Sequence, residues 1–379
     1  MQEYSEDDTR PFFYRFWARS PPKGDVSVFS SSWYGLMLDG FGEDDDKKLF
    51  ARRLDEAAGF EKAMTDSGYL IIKLFLHISK EEQRTRQNKL EKDPVRSFLL
   101  TKSDKEQNKK YGKYLKAIES MVDATDTPNA PWTIVEAESK RFATIKVIKA
   151  VIQALETRLN SPVATAAPVK SNGPIPQALQ GVDLSKSFPS EDYKARLDEL
   201  QDKLRRLQFM AYHGGVPVAI VFEGWDAAGK SGGIKRITEP MDPRGYQVFP
   251  TSAPNDVEIA HHYLWRFWRD VPARGRISIF DRSWYGRVLV ERVEGLTPPA
   301  DWKRAYDEIN EMEKEWAENG TILVKFWLHI GLDEQLKRFE AREFNPFKSY
   351  KITGEDWRNR DKWNKYVAAA NEMFARTNT

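Results

Sequence analysis

The chain has 379 residues, of which 40% are hydrophobic and 31% charged, and this composition is typical of a globular protein with two domains. Because 59 basic residues nearly balance 57 acidic ones and leave a net charge of +2, nothing predicts nucleic-acid binding, and an anionic partner requires a local cluster of cations. The absence of cysteine excludes disulfides and cysteine nucleophiles, and the lack of a leader-like start or a long apolar run predicts a cytoplasmic protein without membrane contact.

The sequence contains an internal repeat. Residues 29–36 read FSSSWYGL and residues 280–287 read FDRSWYGR, and the alignment extends back to the RFW segments that begin at Arg15 and Arg266. The first copy has no counterpart of residues 191–250, and the second has none of residues 128–159. We therefore predict a duplicated domain in which both copies are incomplete. The predicted organisation is a degenerate first repeat (1–160), a linker rich in Pro, Ala, Ser and Gly (161–190), and a second repeat lacking its last strand and helix (191–379).

Both repeats are predicted to alternate strands and helices. The predicted strands of the first repeat are VSVF (26–29), YLIIKLFLHI (69–78) and WTIVEA (132–137). The second repeat opens with a helix for which Ser190 is the predicted N-cap, because apolar residues then recur every three or four positions. Its predicted strands are 216–224, 246–252, 276–283 and 321–330. Consecutive apolar residues in these strands indicate burial on both faces, and hence an α/β fold with a mainly parallel sheet.

The segment GWDAAGKS, from Gly224 to Ser231, fits the phosphate-binding pattern of a P-loop. It follows an apolar strand and precedes a helical stretch, so its backbone N–H groups and the helix dipole are expected to face phosphate oxygens. Lys230 would bring a cation to the transferring phosphate, and Ser231 a hydroxyl to a metal ion. The predicted phosphate-binding residues of this region are Gly224, Ala227, Ala228, Gly229, Ser231, Gly232 and Arg236.

A second group of charged residues ends the strand at 276–283. Asp281 stands where a Walker B carboxylate holds Mg²⁺, and Arg282 and Arg287 beside it could clamp anionic oxygens. In the first copy Ser30, Ser31 and Leu36 take these three places, whereas the SWYG residues persist. The comparison predicts that the first copy keeps the packing of this motif and loses its chemistry.

The segment from 333 to 357 is predicted to form a lid. It begins as a helix, breaks at Asn345-Pro346 and carries cations suited to a chain of phosphates. Closing such an arm over the P-loop would expel water and add positive charge. The cations are Arg338, Arg342, Lys348 and Lys351.

Three segments, FEGWDAAGKSGGIKRI, FDRSWYGR and FNPFKSYKITGEDWRNRDKWNKY, resemble the polyphosphate kinase 2 family, and the resemblance covers residues 191–379. The tandem arrangement is similar to class II members, which phosphorylate AMP to ADP with inorganic polyphosphate as donor. The resemblance implies a three-layer α/β/α P-loop kinase fold with a helical lid. It also implies that Asp226 and Asp281 organise Mg²⁺ and the acceptor, that Lys230 and Arg282 contact phosphates, and that homo-oligomers are possible.

Two questions stay open at this stage. The chain is either a fragment cut at both ends, or residues 128–159 pair with the sheet of the second repeat. The function is either phosphoryl transfer from polyphosphate, binding of polyphosphate or nucleotide by a non-catalytic scaffold, or an ATP-dependent nucleoside monophosphate kinase activity.

Overall fold

The computed structural model describes residues 6–39, 47–160, 175–347 and 349–379. The chain forms two compact units, a larger one (Met1–Pro22 and Ala166–Thr379) and a smaller one (Lys23–Thr165). The division by sequence repeat stays a prediction, and these units differ from it because the first 22 residues group with the second repeat. No helix within the described ranges has the length and apolar composition needed to cross a membrane.

The described elements follow one another in this order along the chain. The helices of the first 160 residues are α1 (Tyr14–Ala18), α2 (Trp33–Asp39), α3 (Lys47–Asp66), α4 (Lys80–Glu91), α5 (Lys102–Lys109), α6 (Tyr111–Thr125) and α7 (Lys140–Asn160). The later helices are α8 (Ser190–Gly214), α9 (Lys230–Thr238), α10 (Asp256–Ile259), α11 (Trp265–Arg269), α12 (Val290–Val293), α13 (Pro299–Glu318), α14 (Leu332–Glu343), α15 (Gly354–Asp361) and α16 (Trp363–Thr377). The strands are β1 (Lys73–His77), β2 (Trp132–Glu136), β3 (Val218–Gly224), β4 (Tyr246–Pro250), β5 (Ile277–Asp281) and β6 (Ile322–Leu328).

The larger unit is built on a four-stranded parallel sheet with strand order β4-β5-β3-β6. Ile220 and Ile279 lie side by side on one face, where they pack with Ile234 of α9. Phe280 points to the other face, where its ring lies 6.2 Å from that of Trp316 on α13. Helices therefore cover both faces, as the consecutive apolar residues of these strands predicted, and the fold is a three-layer α/β/α sandwich.

The smaller unit contains a two-stranded parallel sheet, in which Lys73 pairs with Trp132 and His77 with Glu136. The hypothesis that residues 128–159 complete the sheet of the second repeat is therefore wrong, because β2 pairs with β1. The predicted strand at 26–29 is also wrong: no strand forms there, and Val26 and Val28 are 84% and 90% exposed. Its counterpart β5 is held between β3 and β4, and the first repeat has no counterpart of those two strands.

The helix that opens the second repeat begins at Ser190, but Ser190 is its first helical residue and Pro189 occupies the N-cap position. The prediction that Ser190 is the N-cap is therefore wrong, because the preceding proline already has the extended backbone that a cap requires. The helix ends at Gly214, and the left-handed Gly215 (φ 64°) follows it. Within the predicted linker, residues 161–174 lie outside the described residues, whereas the Leu179 N–H donates to Asn371 Oδ1 at 3.1 Å.

One buried polar network occurs in both repeats. In the larger unit, Glu313 Oε1 accepts hydrogen bonds from Trp284 Nε1 (2.9 Å) and the Tyr285 hydroxyl (2.6 Å), and Glu313 Oε2 pairs with Lys325 Nζ at 2.7 Å. Lys325 Nζ also donates to the Thr377 carbonyl at 2.8 Å. The equivalent residues of the smaller unit make the same contacts, and they are Glu61, Trp33, Tyr34, Lys73 and Thr125. The SWYG motif is therefore a packing element in both copies.

Candidate active site

The P-loop lies between β3 and α9 at the carboxyl edge of the sheet, where the ligand sites of parallel α/β sheets are found. Three of its residues have left-handed or related backbone conformations: Gly224 (φ 137°), Ala227 (φ 61°) and Gly229 (φ 108°). A Cβ atom on Gly224 would lie within 2.7 Å of the Leu328 amide nitrogen on β6. Glycine is therefore required at this position both by conformation and by space.

Lys230 begins α9, and its ammonium group folds back over the loop. Lys230 Nζ donates to the Gly224 carbonyl at 2.7 Å and to the Trp225 carbonyl at 3.1 Å. Burial lowers the pKa of Lys230, and the nearby carboxylates of Asp226 and Asp281 oppose this effect. The ammonium is thus held over the loop by two backbone carbonyls, and the charges of Asp226, Glu223 and Asp281 favour its protonated form.

Asp281 is the last residue of β5, and its Oδ2 lies 3.5 Å from Ser231 Oγ of the P-loop helix. The register that pairs Phe222 with Asp281 brings the ends of β3 and β5 together, which places the two motifs at one site. Asp226 is joined to this group through Arg282, whose Nη2 donates to Asp226 Oδ1 at 2.9 Å. Asp226, Asp281, Lys230, Arg282 and Ser231, all predicted from the sequence, therefore lie together at the joined ends of β3 and β5.

The sequence analysis missed Asn359 of α15. Its Nδ2 donates to Asp226 Oδ2 at 2.9 Å, and its Oδ1 accepts from the Tyr366 hydroxyl at 3.1 Å. Both Asp226 oxygens are therefore engaged, one by Arg282 and one by Asn359. The only signal for Asn359 in the sequence was its position within the RNRDKWNKY segment, since an amide in a polar helix otherwise indicates a surface residue.

Helix α14 also contacts the P-loop. Arg338 Nη1 donates to the carbonyls of Ala227 (3.0 Å) and Ala228 (3.1 Å), and Gln335 Nε2 donates to that of Asp226 (3.1 Å). These donors satisfy the carbonyls of three consecutive P-loop residues. Arg338, predicted as a lid cation, thus supports the loop, and Gln335 does so as a buried residue that the sequence analysis did not identify.

An aromatic stack joins the loop to α16. The ring of Trp225 lies 3.7 Å from that of Trp363 at an interplanar angle of 15°. Trp225 Nε1 also donates to His329 Nδ1 at 2.8 Å, and burial lowers the pKa of His329. Together with Asn359, this stack fixes α15 and α16 against the P-loop.

Other predicted phosphate-binding cations have structural partners. Arg236 donates to the Tyr193 hydroxyl at 2.6 Å and to the Gly232 carbonyl at 3.2 Å. Arg287 pairs with Glu291 at 2.8 Å, donates to Thr297 Oγ1 at 2.7 Å and lies 4.3 Å from the centre of the Tyr263 ring. Arg342 is half-buried on α14, whereas Lys348 and the side chain of Lys351 lie outside the described residues. Phosphate binding by these cations stays a prediction.

The oxygen donors of the site suit Mg²⁺. Within the described residues no group of three or more His, Asp or Glu side chains forms a closed metal cage. Mg²⁺ is commonly bound by one or two carboxylates together with waters and substrate phosphates. Asp281 and Ser231, with Asp226 nearby, supply that kind of open donor set.

The chain is similar to known proteins along its whole length. Residues 2–162 and 187–379 match the model of the family described as polyphosphate kinase 2. A polyphosphate:AMP phosphotransferase of Pseudomonas aeruginosa is 42% identical over 385 residues, which cover 100% of this chain and 78% of that protein. One from Acinetobacter johnsonii is 35% identical over 373 residues, which cover 98% of this chain and 76% of that protein.

The fold matches as well. A crystal structure described as a polyphosphate kinase 2 of Pseudomonas aeruginosa aligns with a TM-score of 0.86 at 38% identity, covering 100% of this chain and 76% of that one. The strand order, the P-loop and the paired motifs of the two repeats are thus accompanied by similarity along the whole chain. The chain belongs to the polyphosphate kinase 2 family.

Proposed function

We propose that this protein transfers a phosphoryl group from inorganic polyphosphate to AMP and releases ADP. The proposal rests on one observation: five polar residues lie together at the joined ends of β3 and β5. They are Lys230, Asp226, Arg282, Asp281 and Ser231. The names of the relatives supply the donor and the acceptor.

The reaction forms one P–O bond and breaks another. A phosphate oxygen of AMP attacks the terminal phosphorus of the polymer, and the shortened polymer leaves with the electron pair of the broken bond. The attacking oxygen is already ionised near neutral pH, so the protein need not supply a strong base. Its residues act by alignment and charge: Lys230 and Arg282 neutralise the transferring phosphates, and Asp226 holds the Arg282 guanidinium in place.

We further propose that Mg²⁺ binds at Asp281 and Ser231, with Asp226 as a neighbouring acid. When bound, the ion neutralises charge on the phosphate oxygens of the donor. Asp281 and Ser231 would hold the ion at the P-loop, and Lys230 would supply a cation to the phosphates bound there.

The test is an assay of the chain with AMP, long-chain polyphosphate and Mg²⁺, with ADP as the product measured. We expect ADP from the wild type and a loss of at least about 100-fold in Lys230→Ala, which removes a cation from the transferring phosphates, and in Asp281→Asn, which removes a charged ligand of the proposed Mg²⁺. Lys235→Ala is the matched control, since Lys235 is an exposed lysine of the same helix, and it should retain the wild-type rate.

The outcomes separate the three functions considered from the sequence. Wild-type protein that binds polyphosphate but makes no ADP would be a scaffold. ADP that appears only when ATP replaces polyphosphate would indicate an ordinary nucleoside monophosphate kinase. Full turnover in either active-site variant would remove that residue from the mechanism.

A further inference from the structure

Glu223 is a buried acid at the site for which the mechanism above has no use. It precedes Gly224 in β3, is 8% exposed, and pairs with Trp327 of β6 in the sheet. Its Oε1 accepts a hydrogen bond of 2.7 Å from the hydroxyl of Ser283, which is itself 2% exposed. Because β3 leads into the P-loop and Ser283 directly follows Arg282, this bond connects the two motifs of the site.

The Ser283 hydroxyl is held in one orientation. It donates to Glu223, and its oxygen accepts from the Tyr285 N–H at 3.3 Å. On the other side of the turn, the Arg282 N–H donates to the Phe222 carbonyl at 3.0 Å. The N–H of Arg282 and the side chain of the next residue, Ser283, thus bond to two consecutive residues of β3.

Glu223 also belongs to the charge balance of the site. Burial raises its pKa, and the Ser283 hydroxyl bond together with the charges of Lys230 and Arg282 opposes that rise. The charges of both cations thus act on this acid, and its described hydrogen bonding is to Ser283, whose hydroxyl donates to it and whose backbone N–H also lowers its pKa.

The first repeat shows that the turn itself forms without this acid. Ser31, the equivalent of Arg282, has a φ of 58°, close to the 64° of Arg282. Ser32, the equivalent of Ser283, is also present, yet the first repeat has no counterpart of Glu223. Formation of the turn therefore does not explain why the second repeat buries an acid behind it.

We propose that Glu223 is a positioning residue that, through Ser283, fixes Arg282 and Asp281 relative to the P-loop. The inference rests on the proposed function, because its measure is the rate of ADP formation. It adds to that function a link between β3 and β5 which the substrates do not touch.

The test compares Ser283→Ala, Glu223→Met and the double variant, since methionine has a similar length to glutamate but offers the Ser283 hydroxyl no acceptor oxygen. We expect each single variant to lower kcat for ADP formation by roughly 10–100-fold, since displacement of catalytic groups by about 1 Å has effects of this size. The KM for AMP should stay within about 3-fold of the wild type, because ground-state binding is not what the link supplies. The double variant should be no slower than the slower single variant, since both remove the same bond.

Two further variants serve as controls. Ser283→Thr keeps a hydroxyl and should retain most of kcat. Glu315→Met makes the same change at an equally buried glutamate of α13. Glu315 accepts from the Phe13 N–H (3.1 Å) and makes no described contact with the P-loop, so this variant should retain the wild-type kcat. These controls distinguish loss of the Glu223–Ser283 link from a general effect of altering a buried polar residue.

The results decide between the proposals. A wild-type protein that forms no ADP contradicts the proposed function. An active wild type with unchanged kcat in Ser283→Ala and Glu223→Met, or with losses that multiply in the double variant, overturns the positioning role. If Glu223→Met fails to fold, Ser283→Ala alone decides: a lower kcat at unchanged KM supports the link, and a wild-type kcat rejects it.

Discussion

Arg282 adopts a left-handed backbone conformation, which costs a residue other than glycine about 1–3 kcal/mol and clusters at functional sites. Ser31 holds the same conformation in the first repeat, where the acid and the arginines of the motif are absent. Both repeats thus contain the strained turn, although only the second carries the charges. The SWYG alignment predicted a shared scaffold, and the structure confirms it. The left-handed conformation was not predictable, because neither copy has a glycine at this position.

The hydrogen bond between His329 and Trp225 depends on pH. Its Nδ1 accepts from Trp225 Nε1, so this nitrogen must be unprotonated. Burial lowers the folded-state pKa of His329 below its unfolded value of 6.5. Its contribution to stability is therefore complete above about pH 6.5 and is lost as the pH falls through the lowered value.

The measurement is the melting temperature of the wild type and of His329→Asn, whose amide oxygen can replace Nδ1 as acceptor without titrating. We expect the wild type to lose more stability than the variant between about pH 7.5 and about pH 5.5. The other histidines affect both proteins equally and cancel in the difference. Identical pH dependence in the two proteins would mean that this hydrogen bond does not control the titration.

At the scale of elements, apolar runs predicted the four strands of the larger unit well, because each is covered on both faces. The same pattern failed at residues 26–29, since a strand also needs hydrogen-bonding neighbours, and composition cannot show whether they exist. The P-loop and the Asp281 motif were predictable because strand ends in a parallel sheet share an edge. Asn359 and Gln335 were not, because their roles depend on how separate helices pack against the loop.

The close approach of the P-loop to β6 leads to a prediction about Gly224. A methyl group at this position would meet the backbone of Leu328, which cannot move aside as a side chain could. We therefore expect Gly224→Ala to lower the free energy of unfolding by more than about 1 kcal/mol and to reduce ADP formation at least about 10-fold.

Gly320→Ala is the matched control for this substitution. Gly320 also has a positive φ (88°), but no heavy atom lies within 4 Å of the position its Cβ would take. It should show the conformational cost alone, about 1 kcal/mol, with unchanged turnover. Denaturant unfolding and the ADP assay separate the two effects, and equal losses in both variants would argue against the collision with β6.

On the scale of the whole molecule, the two repeats share their buried network while only one carries the active-site charges. In the smaller unit, the side chains of Lys73 and Glu61 are 4% and 3% exposed. In the larger unit, the side chain of Lys325 is 28% exposed and that of Glu313 is 3% exposed. Removing one partner of a buried pair leaves an uncompensated charge, which costs about 3–5 kcal/mol. The smaller unit should therefore depend on its lysine more strongly than the larger unit does.

We expect Lys73→Met to destabilise the smaller unit by about 3 kcal/mol and Lys325→Met to destabilise the larger unit by less, because water partly solvates the second pair. Hydrogen exchange localises each effect: Lys73→Met should speed exchange in β1 and β2 and leave β3 and β5 protected. Lys109→Met, at an exposed surface pair, is the control and should change neither.

The same Lys73 variant tests the division of labour between the repeats. Lys73→Met destabilises the first repeat, which has serine in place of Asp281 and Arg282. At temperatures where the smaller unit stays folded, this variant should therefore form ADP at the wild-type rate. Lys325→Met acts through the Glu313 network, which also holds Trp284 and Tyr285 just beyond the Asp281 turn, and should slow turnover. A Lys73 variant that is folded but inactive would show that the first repeat contributes to catalysis, although it lacks the charged residues of the Asp281 motif.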